Sequence, residues 1–119
     1  MKKKRVISVK DTFKNNVLAN GIKDEQVEIF EGAWYFDQDV VDMTFLDVTD
    51  RTFVCPYKGT CYWIDLHLPN QVSKNVAFTY FDVNPGYEFI QNKIGFYAGK
   101  REATIQESSE IIAAVKIDN

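Results

Sequence analysis

The sequence contains few of the residues that build disulfide frameworks, metal sites or flexible linkers. Its 119 residues include two cysteines, one histidine and three prolines, and the six glycines are scattered along the chain. Two cysteines do not make the disulfide framework of a small secreted domain, so Cys55 and Cys61 are expected to be free thiols. With His67 they supply at most three soft ligands, at a spacing unlike that of zinc knuckles, which leaves a three-ligand catalytic zinc as the one metal site to consider. We expect no metal and no cofactor.

Long apolar runs are also missing. The apolar stretch at residues 6–9 is followed at once by Lys10 and Asp11, so it does not form the hydrophobic core of a signal peptide. No segment approaches the roughly 20 apolar residues that a membrane-spanning helix needs. The sequence therefore predicts a cytoplasmic protein without a membrane partner.

The acidic balance of the chain argues against nucleic acid as a partner. The formal net charge is −3, from 14 basic and 17 acidic side chains. Four of the basic residues form the run at positions 2–5, so the remainder carries ten basic against 17 acidic residues, a net charge of −7. Nucleic-acid binding requires a basic face, which this composition does not favour. The run at 2–5 is interpreted as a solvated basic tail.

No linker rich in proline, glycine or serine divides the chain, and no segment repeats. A chain of this length fits one domain and can bury about two thirds of the surface that its unfolded form exposes. We therefore expect a single soluble β-rich domain over residues 6–115. The basic tail at 1–5 precedes it and a C-terminal tail at 116–119 follows it.

Short apolar segments with a period of two indicate β-strands. They lie at residues 6–11, 27–30, 33–36, 52–54, 61–68, 76–81 and 94–97, separated by turn residues. Glu31-Gly32 is predicted to form a hairpin turn, and Pro56 to end the strand before it. Many short strands favour a mainly β fold. The two candidates are a compact antiparallel two-sheet sandwich and a partly open barrel, each with one or two short helices.

Helical signal is sparse. Apolar residues between Tyr87 and Ile94 predict one short helix that starts after Pro85. Residues 107–115 have moderate helix propensity but fit a terminal strand equally well, so both alternatives are kept.

The segment Cys-Pro-Tyr-Lys-Gly at residues 55–59 is the sharpest local feature. Pro56 fixes one backbone angle and Gly59 permits a positive φ, so the chain is expected to turn tightly and to present Lys58. Lys58 is suited to bind a phosphate or carboxylate or, if desolvated, to act as a base or Schiff-base amine. A thiol near that ammonium has a lowered pKa, which makes Cys55 a candidate nucleophile. The plainer interpretation is an exposed turn lysine and an inert cysteine.

Five aromatic residues lie on predicted strands that neighbour this turn: Trp34, Tyr35, Tyr62, Trp63 and Tyr80. Rings around one cation describe a small-molecule pocket, in which the rings supply contact area and polar groups fix the orientation of the ligand. The same rings stabilise a hydrophobic core if they simply pack together. A core role is favoured for any single ring, and both interpretations stay open for the set.

These motifs together resemble a known family. The segment at 55–59 is followed by Tyr62-Trp63, by Asn-Val-Ala-Phe-Thr-Tyr at 75–80 and by Gly-Phe-Tyr at 95–97. Upstream, Val-Leu-Ala-Asn at 17–20 and Tyr-Phe at 35–36 are similar to the opening strands of that family. In this order, over residues 6–99, the chain resembles the family catalogued as domain of unknown function 427. The resemblance implies one small, mostly bacterial domain of β-strands with a short helix and no assigned activity.

Some catalogues label this family as nucleotidyltransferases, which implies a Gly-Ser turn followed by two metal-binding acids. Asp37 and Asp39 have the required acid spacing, but the glycine nearest upstream, Gly32, is not followed by serine and lies too close. These acids are interpreted as a solvated loop, so the residues give the label little support. The stretch after Gly59 is one residue shorter than in the usual form of the family, and Cys61 is therefore not taken as a site residue.

The leading hypothesis is a domain that binds a small anionic or carbonyl-containing molecule in an aromatic pocket beside the turn. Lys58 would anchor the polar group of the ligand, and the five rings named above would enclose the rest. An enzyme would use the same pocket, with Lys58 as base or electrostatic stabiliser and Cys55 as nucleophile. A structural or interaction protein that uses an exposed strand edge is the third alternative. The sequence does not indicate an oligomeric state.

Overall fold

Nine β-strands and two short 3-10 helices form the part of the chain that the computed structural model describes, residues 2–113. The strands are β1 (Lys2–Asp11), β2 (Val17–Ile22), β3 (Val27–Phe30), β4 (Ala33–Phe36), β5 (Leu46–Cys55), β6 (Gly59–Leu68), β7 (Gln71–Val83), β8 (Ile94–Tyr97) and β9 (Thr104–Ala113). The 3-10 helices are Gln38–Val40 and Glu88–Ile90. The mainly β prediction with short helices is confirmed.

The strands form two antiparallel sheets. The small sheet has the order β2-β1-β9, and the large sheet has the order β3-β4-β8-β7-β6-β5. The sheets do not close into a barrel, so the sandwich alternative of the prediction is the one that the structure bears out. Most neighbouring strands of the large sheet are also consecutive in the chain and are joined by hairpins. Antiparallel strands need only a short turn between them.

One hydrophobic core lies between the sheets. The small sheet contributes Ile7, Val9 and Leu18, and the large sheet contributes Phe36 and Ile64, all with at most 1% of their surface exposed. Burying a side chain of this size stabilises the fold by roughly 1.5–3 kcal/mol. Side chains alternate between the two faces of a strand. The positions of these apolar residues therefore determine which face of the large sheet packs on the small sheet.

The opposite face of the large sheet carries a second buried cluster, which we call the outer cluster. It consists of Ala33, Tyr35, Cys61, Phe78, Tyr80 and Ile90. Ile90 comes from the 3-10 helix Glu88–Ile90, so the connection between β7 and β8 covers part of this face. Both faces of β6 and β7 are consequently apolar, which explains their long apolar stretches in the sequence.

Strands β1 and β9 form the two ends of the described chain. The basic run at 2–5 belongs to β1 and pairs with β9. Its charges are balanced there: Lys4 pairs with Glu25 at 2.7 Å, and Arg5 with Glu110 at 3.8 Å. Residues 107–113 form a strand rather than a helix. Residues 114–115 and the predicted tail at 116–119 lie outside the described residues.

Other local predictions agree with the structure. Glu31 and Gly32 form the turn of the β3–β4 hairpin with φ values of 49° and 75°, the left-handed conformation that such tight turns require. The helix expected after Pro85 is present as the single 3-10 turn Glu88–Ile90. Both cysteines are free thiols. Among residues 2–113, no helix is long and apolar enough to cross a membrane.

Candidate functional site

The turn that presents Lys58 joins β5 to β6 and is held by a residue from the end of β7. Cys55 pairs with Gly59 across the hairpin. The backbone N–H of Asn84 donates to the Lys58 carbonyl oxygen at 2.9 Å, and its side-chain amide donates to the carbonyl oxygens of Pro56 at 3.1 Å and Tyr57 at 2.9 Å. The turn is therefore fixed to the large sheet, and the position of Lys58 is fixed with it.

The Lys58 side chain folds back over the protein instead of extending into solvent. Only 18% of it is exposed, and its ammonium lies 3.4 Å from the Glu31 carboxylate at the β3–β4 turn. The same ammonium is 5.8 Å from the ring centres of Phe30 and Tyr80, within the range of cation–π attraction. Two hairpin turns that are distant in sequence thus bring an acid and a base together above the outer cluster.

A cavity of about 310 Å³, here called the Lys58 cavity, opens beside this ammonium. Its lining combines the two charged residues with a set of rings and two small side chains: Glu31, Lys58, Tyr35, Phe53, Trp63, Phe78, Tyr80, Tyr97, Ala33 and Cys61. The rings contact one another edge to face, with Phe78 5.7 Å from Tyr35 and 6.0 Å from Trp63 between ring centres. Such contacts hold the walls in defined positions.

The tyrosine hydroxyls and the thiol that line the cavity are neutral at physiological pH. Burial raises the pKa of Tyr35 and of Tyr80, and the neighbouring Cys61 adds to the shift in both cases. Burial also raises the pKa of the Cys61 thiol to about 11, although the Tyr80 hydroxyl opposes that shift. Burial raises the pKa of Tyr97 as well. These groups therefore keep their protons near pH 7 and offer O–H and S–H donors to a ligand.

The structure brings together some of the residues that the sequence proposed for the pocket. Tyr35, Trp63 and Tyr80 line the cavity with Lys58, whereas Trp34 and Tyr62 do not. Trp34 belongs to the core between the sheets, and Tyr62 packs against Phe81 at 5.3 Å between ring centres. Each of these two is adjacent in sequence to a cavity residue, and adjacent strand residues point to opposite faces of a sheet.

The sequence analysis does not propose the six other lining residues: Glu31, Ala33, Phe53, Cys61, Phe78 and Tyr97. The period-two rule was the signal available for some of them. Cys61 shares its face of β6 with Trp63, and cross-strand pairing then adds Phe78, which lies opposite Trp63. Glu31 has no comparable signal, because its contact with Lys58 depends on how two hairpins meet in space.

Cys55 lies next to the turn but does not line the cavity. Its sulfur accepts the backbone N–H of Lys58 at 3.4 Å. This hydrogen bond is the largest cause of a lowered pKa of the thiol, and partial burial opposes it. The only histidine, His67, sits eight residues beyond Gly59 along β6, on the order of 25 Å away at about 3.3 Å per residue. A catalytic pair of Cys55 and His67 is therefore not formed.

The acids considered for metal binding lie away from this cavity. Asp37 precedes the 3-10 helix Gln38–Val40 and pairs with Lys93 at 3.4 Å, and Asp39 is exposed within that helix. Between residues 2 and 113, no three histidine, cysteine or acidic residues are arranged to hold a metal ion.

The comparisons with known proteins identify one family. The model of a family described as domain of unknown function (DUF427), with the label NTP_transf_9, matches residues 6–107. A search of curated proteins finds no match. The matched range contains both turns and every residue that lines the Lys58 cavity.

Proposed function

We propose a function for this chain, which belongs to the DUF427 family: it binds a small molecule with an anionic or carbonyl group in the Lys58 cavity. The observation that carries the proposal is the Lys58 side chain, which is 18% exposed and lies over a ring-lined cavity of about 310 Å³. An exposed turn lysine would instead extend into water, where its charge is best solvated.

The size and lining of the cavity support a small ligand. Ligand sites are concave, mostly apolar and typically about 300–1,000 Å³ in volume, so this cavity is at the lower end of that range. The rings of Tyr35, Trp63 and Tyr80 supply apolar contact area. A ligand with one ring or a short chain, and one polar end, fits such a lining best.

The ion pair between Lys58 and Glu31 determines which polar groups of a ligand can bind. The Glu31 side chain is 57% exposed, so it can turn into solvent at little cost when an anion approaches Lys58. The Lys58 ammonium has three N–H donors, and Glu31 does not use them all. A neutral carbonyl group of a ligand can therefore accept one of the others. Either ligand class thus finds a donor at Lys58.

The state and position of the two thiols favour binding over catalysis. The thiol of Cys61 holds its proton because burial raises its pKa to about 11, so it is not a nucleophile near pH 7. Cys55 has a lowered pKa but lies outside the cavity and has no histidine near it. The enzyme alternative therefore lacks a thiolate nucleophile at the place where a ligand would sit.

The free thiols and the charge of the chain bear on the location of the protein and on the class of its partner. Cys55 and Cys61 fit a reducing compartment, which is why we propose a cytoplasmic location. The net charge of −7 outside the basic run supports a partner other than nucleic acid.

A thermal-shift screen with Lys58→Met tests the proposal. Metabolites that carry carboxylate, phosphate or carbonyl groups are screened for an increase in melting temperature of the intact chain. A ligand present at a hundred times its Kd stabilises the native state by about 2.7 kcal/mol, which moves the melting temperature by several degrees. Lys58→Met keeps the length and apolar contact of the side chain, so the variant should fold but lose the shift.

Lys100→Met is the matched control, because Lys100 is an exposed cation that lines none of the cavities described here. It removes the same charge and should leave ligand binding unchanged. A ligand whose shift survives Lys58→Met, or disappears equally with Lys100→Met, would contradict the proposal. So would a screen in which no compound of these three classes stabilises the protein.

A further inference from the structure

A second cavity, here called the Arg101 cavity, lies between the start of β7 and the connection from β8 to β9. Its volume is about 370 Å³. The residues that matter for its chemistry are Ser73, Lys74, Asn75, Tyr97, Arg101 and Thr104. Tyr97 lines the Lys58 cavity as well, so the two cavities share this residue.

The Arg101 side chain is held in place at this cavity. Its guanidinium carbon lies 4.6 Å from the centre of the Tyr97 ring, a close cation–π contact. The backbone around it is also fixed, because the N–H of Arg101 donates to the Thr104 carbonyl oxygen at 2.7 Å. The Thr12 hydroxyl donates to the Glu102 carbonyl oxygen at 2.7 Å and ties the connection to the small sheet. A planar donor group that is already oriented loses little entropy when it binds an anion.

The charge at this cavity is unbalanced. Within residues 2–113, neither Lys74 nor Arg101 forms an ion pair, whereas Lys58, Lys93 and Arg51 each have an acidic partner. Glu102 is the only acid in the lining, so the two cations leave a local excess of positive charge. In a protein whose charge is −7 outside the basic run, this local excess favours an anion at this position.

Uncharged donors complete the site. Asn75 has a φ of 58°, and its backbone N–H donates to the Asp65 carboxylate at 2.9 Å. The side-chain oxygen of Asn75 accepts the Arg51 guanidinium at 2.9 Å, which orients the amide and leaves its N–H donors available. Ser73 also lines the cavity, and its hydroxyl is able to donate.

We propose that the Arg101 cavity is an anion-binding site that takes a phosphate or carboxylate group. Arg101 supplies parallel N–H donors that match the two oxygens of either group, and Lys74 adds a second positive charge. The amide of Asn75 and the hydroxyl of Ser73 donate to the remaining oxygens. The site stands on its own residues and does not require the Lys58 cavity to be occupied.

Titration of the ¹⁵N-labelled chain with inorganic phosphate and, separately, with acetate at constant ionic strength tests this site. We expect saturable changes in amide chemical shifts at residues 73–76 and 101–104, which line the cavity. Arg101→Gln should weaken the binding about tenfold or more, since a charge-assisted pair of hydrogen bonds is lost. Tighter binding of phosphate identifies a phosphate-bearing ligand, and tighter binding of acetate identifies a carboxylate.

Two further variants make the outcome decisive. Lys100→Gln removes the same charge one residue away from Arg101 and should change the affinity less than twofold, because Lys100 does not line the cavity. Lys74→Gln, at an exposed position of β7, should weaken binding several-fold and serves where Arg101→Gln alters the fold. Absence of saturable shifts with both anions overturns the proposal. Equal weakening by Arg101→Gln and Lys100→Gln overturns it too, because binding then reflects net charge alone.

Discussion

At the scale of single residues, Gly95 determines where the central ring of the outer cluster lies. Gly95 pairs with Phe78 across β7 and β8, and the Phe78 ring lies directly over it. A Cβ at position 95 would overlap three atoms of that ring, so the ring occupies space that only glycine leaves free. Phe78 also lines the Lys58 cavity and contacts Tyr35, Trp63 and Tyr97. The absence of one side chain therefore shapes the proposed ligand site.

Gly95→Ala should push the Phe78 ring out of its place and destabilise the protein. Overpacking of this kind costs about 1–3 kcal/mol, which urea unfolding of the variant will measure. The same movement should weaken binding of any ligand found for the Lys58 cavity. Phe78→Leu in the Gly95→Ala background is the control, because the smaller side chain makes room for the methyl group and should restore part of the stability. If Phe78→Leu adds its own full cost to that of Gly95→Ala, the overlap is not the cause.

At the scale of elements, the turns were the most predictable part of the site. Glu31-Gly32 and the segment at 55–59 carry their conformations in their own residues, since tight turns need glycine, proline or a residue that tolerates positive φ. Both turns lie where the sequence predicts them, with a φ of 125° at Gly59. The hairpins built on them could therefore be predicted without knowledge of the rest of the fold.

The assignment of side chains to faces was less successful, although the rule for it is local. The sequence predicts Trp34 and Tyr35 together in the pocket, and likewise Tyr62 and Trp63. Residues adjacent along a strand, however, point to opposite faces of the sheet. Only Tyr35 and Trp63 line the cavity. The contact of Lys58 with Glu31 was not predictable at all, because it depends on the distance between two hairpins at opposite ends of the strand order β3-β4-β8-β7-β6-β5.

Irregular pairing is the other feature that the sequence did not reveal. The register of β6 with β7 shifts between Thr60 and Cys61, and again between Ile64 and Leu66. Shifts of this kind depend on how a strand bends to keep both faces packed, so local patterns do not encode them. The ambiguous segment at 107–113 became a strand because β1 offers it a complete ladder of partners, a tertiary effect that outweighs weak helix propensity.

The conformation of the Lys58 turn leads to a prediction about its glycine. A Cβ at position 59 would overlap the backbone carbonyl oxygen of Asp82, which cannot move without breaking the β6–β7 pairing. Gly59→Ala should therefore destabilise the protein by more than the roughly 1–3 kcal/mol that a non-glycine residue in an unfavourable conformation costs. Urea unfolding at neutral pH measures the loss.

Gly86→Ala is the matched comparison for that measurement. Gly86 has a φ of 97°, but a Cβ there meets no atom within 4 Å. Both substitutions thus carry backbone strain, and only Gly59→Ala adds a clash. Equal losses of stability in the two variants would show that conformation alone, and not the close approach of Asp82, requires glycine at position 59.

At the scale of the whole molecule, the large sheet is the scaffold for everything proposed here. Its inner face packs on the small sheet, and its outer face carries the outer cluster with the Lys58 cavity. The Arg101 cavity lies where β7 meets the connection to β9, beside the small sheet. Because rigid strands position both sets of lining residues, the two sites need no large movement to be ready for a ligand.

Two buried carboxylates accept hydrogen bonds that stabilise this scaffold. Asp11, fully buried, accepts the backbone N–H groups of Phe13 at 2.8 Å, Lys14 at 2.6 Å and Asn16 at 2.8 Å, which shapes the connection from β1 to β2. Asp65, 4% exposed, accepts the guanidinium of Arg51 on β5 and the backbone N–H of Asn75 on β7. Asp11 thus stabilises the small sheet, and Asp65 stabilises the large sheet.

The pH dependence of folding should follow from these two groups. Burial raises the pKa of Asp11, but the hydrogen bonds from Lys14, Asn16 and Phe13 outweigh it, so the pKa is lowered overall. For Asp65 burial likewise raises the pKa, and the hydrogen bonds from Asn75 and Arg51 lower it by more. A carboxyl with a lower pKa in the folded state binds fewer protons than in the unfolded state. Its contribution to stability is therefore complete above the unfolded value, near 4, and is lost as the pH falls through the folded value.

We expect the free energy of unfolding, measured in urea, to decrease as the pH is lowered from 7 through 4 to 3. Asp11→Asn and Asp65→Asn should each lower stability at pH 7 and flatten this decrease, since the amide cannot take up the proton that the carboxylate does. Asp39→Asn is the control, because Asp39 is exposed in the 3-10 helix Gln38–Val40 and should leave the slope unchanged. If Asp39→Asn flattens the decrease as much as Asp11→Asn does, then the acid sensitivity arises from general charge repulsion in the acidic chain and not from the carboxylates that hold the two sheets.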